Sequence, residues 1–103
     1  MTISFTSSIT SRLKREIAEM QKQSFNDKNK REKALSKIKQ LQKNIKVSSS
    51  PSDLSSKMTQ ITKLNGEVAR IDASLADLAK QLAAKNAELR QQTAKAAQRE
   101  SDS

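Results

Sequence analysis

Apolar residues return every seventh position along the second half of the chain. Leu54, Ile61, Val68, Leu75, Leu82, Leu89 and Ala96 form one series. Lys57, Leu64, Ile71, Leu78, Lys85 and Gln92 follow three residues after each of its first six members. Taken as heptad positions a and d, the layers from Ile61 and Leu64 through Leu82 are aliphatic at nearly every site. A seven-residue repeat sustained this long is the pattern of a left-handed coiled coil. It predicts a helix over residues 50–98 and a flexible C-terminus at 99–103. Gly66 falls at the outward f position, where it costs roughly 1 kcal/mol relative to Ala but interrupts no contact.

The first half keeps the same period with a gap. Leu13, Ile17, Met20, Ala34, Ile38, Leu41 and Ile45 hold one register, and the positions between them are the polar Ser24, Asp27 and Arg31. Ser24 to Asn29 is also the stretch of weakest helix propensity. The pattern predicts one helix over 8–46 with a weakened middle, a break near Asn26 being the alternative, and a flexible N-terminus at 1–7.

Between the two periodic segments lie Lys46-Val47-Ser48-Ser49-Ser50-Pro51-Ser52-Asp53, with four Ser and the only Pro. A turn is predicted at 47–50. Ser50 suits an N-cap and Pro51 suits the first helical position, where its missing N–H costs nothing. Asp53 places negative charge at the positive end of the helix dipole. Capping and turn chemistry account for this serine cluster without a nucleophile or a phosphorylation site.

Two helices joined by a short turn lie antiparallel. That pairs Ile45 with Leu54, Leu41 with Met58, Ile38 with Ile61, Ala34 or Leu35 with Leu64, and Ile17 with Leu82. In the middle the same pairing sets Arg31, Asp27 and Ser24 against Val68, Ile71 and Leu75. An aliphatic side chain left against a polar partner forfeits roughly 1.5–3 kcal/mol of burial. A second chain covering that stripe is the simplest remedy. The expected fold is therefore all-α: an antiparallel two-helix coiled-coil hairpin that oligomerises. Ile38, Leu41 and Ile45 close the hairpin. Ile61, Leu64, Val68, Ile71, Leu75, Leu78 and Leu82 form the assembled core, with Ile17, Met20, Leu54 and Leu89 completing the interface. Asp27, Arg31, Lys57 and Lys85, polar at core positions, are candidates for setting register.

Composition agrees with rods rather than a compact domain. The chain has 103 residues, 34% of them hydrophobic, with two Phe, no Trp or Tyr and a single Gly. Such a chain lacks the large side chains of a globular core and the turn residues of a β fold. With no Cys and no His, thiolate nucleophiles, imidazole bases and the usual zinc sites are excluded. One Gly cannot build a phosphate-cradling loop. Glu16 and Glu19, Asp72 and Asp77, and Glu67 sit at helix-surface spacings beside Lys or Arg and read as solvated faces. No enzyme, catalytic residue, cofactor or metal site is expected. Residues 1–11 lack the pattern of a secretory signal, and no stretch approaches the ~18 uninterrupted apolar residues of a membrane helix. The expectation is a cytoplasmic protein without a membrane partner.

Charge introduces the rival reading. The net charge is +9. Residues 1–47 hold twelve Lys and Arg against four Asp and Glu, or +8, and residues 48–103 hold eight against seven, or +1. A basic first half of this kind fits salt-dependent, sequence-blind binding of nucleic acid. Against it, no aromatic residues are placed to stack on bases, and the cations fall on several sides of the helix. A membrane-surface helix would need a broad, bulky apolar face, and this stripe is narrow.

Lys37-Ile38, Leu41-Gln42, Ile45, Ser49-Ser50-Pro51-Ser52, Leu54, Lys57, Ile61, Ala69-Arg70-Ile71, Leu75 and Leu78 together form a pattern. It resembles the N-terminal coiled-coil segment found ahead of TIR domains in bacterial NAD-hydrolysing proteins, over about residues 12–90. The resemblance implies a module that self-associates and assembles a C-terminal effector, often in antiphage immunity. These residues contain no TIR domain, so no active-site residue is carried over. The expected function is a coiled-coil oligomerisation and scaffold module that partners itself and a linked or separate effector, with nucleic-acid binding as the alternative.

Overall fold

A computed structural model describes residues 5–47 and 50–102, with side-chain environments for 8–47 and 50–97. Two long helices account for them: α1, Phe5–Val47, and α2, Pro51–Asp102. With 43 and 52 residues, they run about 65 and 78 Å at 1.5 Å per residue. No strand occurs among the described residues, and the chain is a helical hairpin.

α1 passes through Ser24 to Asn29 without a break. It contains neither Pro nor Gly, so every residue can donate to the helical ladder, and unfavourable propensities cost only a few tenths of a kcal/mol each. Its start lies three residues before the expected Ser8. Ile9 and Thr10 are half-buried, so the seam reaches a full turn ahead of Leu13 and holds the first turns. α2 likewise runs four residues past the expected Gln98. Ala96 is half-buried, and the Ala, Lys, Gln and Arg residues around it offer the helix nothing to stop it. Residues 1–4 and 103, parts of the termini expected to be flexible, lie outside the described residues, as do Ser48 and Ser49 of the expected turn.

The entry to α2 is capped. Ser50 Oγ accepts a hydrogen bond from the Asp53 amide at 3.3 Å. The Ser50 carbonyl accepts the Leu54 amide at 2.9 Å, and Pro51 takes the first helical position. Asp53 turns its carboxylate to Lys57, 2.9 Å away.

Packing divides into two compact units. In Phe25–Ala76, Ala34 and Ile38 are buried, and Leu41, Ile45, Leu54, Ile61, Leu64, Val68, Ile71 and Leu75 are half-buried. Met1–Ser24 with Asp77–Ser103 has Leu13, Ile17 and Leu78 as its buried residues, and Met20, Leu82 and Leu89 are half-buried. In both units the shielded side chains fall on the seven-residue stripe.

The middle of the hairpin departs from the expected pairing. Arg31 does not sit as a bare charge against Val68; its Nε is 2.6 Å from Asp72 Oδ1. Asp27 accepts a hydrogen bond from the Ser74 hydroxyl at 3.3 Å. Flanking polar groups meet the polar seam residues, and Val68, Ile71 and Leu75 stay half-buried beside them. Met58, expected opposite Leu41, is 56% exposed. It occupies the e position, and the adjacent d residue, Lys57, turns inward instead, its side chain 18% exposed.

Candidate protein–protein interface

The functional surface of a two-helix hairpin is its seam and the edges of that seam. Of the residues expected to form an interface, Ile17, Ile38 and Leu78 are buried. Met20, Leu41, Ile45, Leu54, Ile61, Leu64, Val68, Ile71, Leu75, Leu82 and Leu89 are all half-buried. Two seam residues missing from that set are among the most buried: Leu13, 0% exposed, and Ala34, 5% exposed. Both lie in the heptad register of α1, so the period alone was signal enough. The small size of Ala34 and the terminal place of Leu13 hid their weight.

Four of the polar seam residues each meet a residue at the edge of the stripe. Arg31 at a reaches Asp72 at e. Asp27 at d accepts from Ser74 at g. Lys57 at d pairs with Asp53 at g, four residues earlier on the same helix. Lys85 at d lies 2.6 Å from Glu16 at g of α1. In coiled coils the e and g side chains lean across the seam, which is why these partners sit one position off the apolar series. The three that reach the other helix, Arg31, Asp27 and Lys85, cost apolar burial and favour one register.

Glu16 meets cations from both helices. The hydrogen bond from Lys85 holds the Glu16 carboxyl below its ordinary value, with partial desolvation opposing, and the charges of Lys85, Arg12 and Arg15 adding to the lowering. Arg12 Nε itself stands 3.5 Å from Glu16 Oε1. The carboxylate therefore stays ionised to a lower pH than an unpaired glutamate.

Within Phe25–Ala76 an open cleft of about 350 Å³ lies between the helices. Lys30, Lys33, Ala34 and Lys37 line it from α1, and Leu64, Glu67, Arg70 and Ile71 line it from α2. Seam residues form its floor and long charged side chains its rim. Elsewhere on the described surface, exposed large hydrophobics are few: Phe25, Val47 and Met58.

No group of three or more acidic side chains able to hold a metal ion occurs among the described residues. None of their helices is long and apolar enough to cross a membrane. By its fold the chain is a helical hairpin with a heptad seam. No protein-family model, curated protein or solved structure matches it.

Proposed function

We propose that this chain is an antiparallel coiled-coil hairpin that oligomerises through its a/d stripe and so serves as a scaffold for a linked or partner effector domain. The observation that carries this reading is the incomplete burial of α2. Of its seam aliphatics from Ile61 to Leu89, Leu78 alone is buried, and the others keep more of their surface open. Full burial of a Leu or Ile is worth roughly 1.5–3 kcal/mol, so a run of half-covered ones rewards any helix that closes over them. A second hairpin laid on the first makes a four-helix bundle, the arrangement in which such stripes become interior. The scaffold supplies no chemistry of its own and acts in the cytoplasm. On the resemblance of about residues 12–90 to segments preceding TIR domains, the assembled element is an effector of that kind.

Sedimentation of the purified chain tests the proposal. The expected species is a dimer or larger. Leu75→Asp or Leu82→Asp, each placing a charge in an apolar seam outside the cleft lined by Leu64 and Ile71, is expected to shift it to a lighter one. A chain that sediments as a monomer throughout, or an oligomer indifferent to both substitutions, refutes the proposal.

A further inference from the structure

The cleft of Phe25–Ala76 carries a charge pattern that the rest of the seam lacks. Where cations occupy the seam itself, the chain supplies their counter-charges: Arg31 has Asp72, Lys57 has Asp53 and Lys85 has Glu16. Lys30, Lys33, Lys37 and Arg70 on the cleft rim have no ion pair with any described residue. Glu67 is the single carboxylate among the lining residues, leaving the rim at +3. Beneath these cations lie the apolar side chains of Ala34, Leu64 and Ile71.

We propose that this cleft docks an acidic amphipathic helix of a partner protein, its aliphatic face on Leu64 and Ile71 and its flanking carboxylates on Lys30, Lys33, Lys37 and Arg70. The inference rests on the scaffold reading and names the chemistry of a segment the scaffold holds. Helix-in-groove recognition uses aliphatic anchors at i, i+3, i+4 and i+7, and an apolar floor between two cationic edges selects such anchors with Asp or Glu beside them. A second copy of this chain can close over the stripe from Leu75 to Leu89, but on the cleft itself it brings no counter-charge, because its halves carry +8 and +1 and neither is net negative. Nucleic acid leaves the apolar floor unused, and no aromatic residue lines the cleft to stack on a base.

The test titrates the full chain into a fluorescein-labelled helical peptide with Leu at a and d and Glu at e and g, read by anisotropy at low and high salt. Saturable binding that weakens with salt is expected. Replacing the peptide's Glu by Lys, or its Leu by Ser, is expected to abolish it. Lys33→Gln, Lys37→Gln and Arg70→Gln together should weaken binding about ten-fold, with helicity by circular dichroism unchanged. Each substitution alone gives a smaller loss, which keeps the test decisive should the triple variant lose helicity. Equal binding by wild type and variants overturns the proposal, as does no binding at all. So does tighter binding of a random-sequence DNA duplex. Sedimentation of the same samples separates the two ideas. A monomer that binds the peptide overturns self-association alone, and an oligomer that ignores it overturns the docking site alone.

Discussion

The Arg31 guanidinium stands 2.6 Å from the Asp72 carboxylate, joining α1 to α2 within the residue 25–76 unit. Both side chains are close to half exposed, at 40% and 48%, so solvent screens the pair. A double-mutant cycle with Arg31→Ala and Asp72→Ala should give a coupling of about 0.5–1 kcal/mol in urea denaturation at low salt. The coupling should shrink towards zero in molar salt. A cycle that closes at zero in low salt removes Arg31 from the residues that set register.

Glu16 ties stability to pH. Its carboxyl is held below the ordinary value of 4.5, chiefly by the Lys85 hydrogen bond. A carboxyl depressed on folding stabilises the fold above its unfolded value, and that contribution disappears as pH falls through the lower, folded value. Thermal midpoints should therefore fall below about pH 4.5. Glu16→Gln should make that acid limb shallower while lowering the midpoint at neutral pH. Parallel acid limbs for wild type and variant would show that Glu16 is not among the groups responsible.

Leu13 is 0% exposed, and truncating a buried Leu costs both transfer energy and a cavity. Leu13→Ala should destabilise by about 2–4 kcal/mol in urea. Leu89→Ala, at a half-buried position of the same unit, should cost distinctly less. Equal losses would mean that Leu89 is covered by something other than α1.

Gly66 offers a gain. It lies inside α2, and a Cβ built there meets nothing within 4 Å. Gly66→Ala should stabilise the helix by about 1 kcal/mol, raising the thermal midpoint by roughly 4–8 °C for a chain of this size. A lowered midpoint would indicate that another molecule packs closely at that face.

The heptad repeat by itself determined that there are two long helices, where one ends and the next begins, and which side chains line their shared stripe. Helix geometry makes this possible: a residue's face follows from its number, and Pro51 with a capping Ser50 marks a start wherever it occurs. Uninterrupted α1 was decided against local propensity, because packing along a stripe outweighs a few tenths of a kcal/mol at each of Ser24, Asn26 and Asp27. The partners of the polar seam residues were decided only in the folded chain. Arg31 with Asp72, Asp27 with Ser74 and Lys85 with Glu16 lie 41, 47 and 69 positions apart. Which edge residue leans over which seam charge depends on the register of two helices, and a single helix's periodicity carries no information about that offset. The cationic cleft has the same origin: Lys30, Lys33 and Lys37 are scattered surface lysines until α2 brings Arg70, Leu64 and Ile71 beside them.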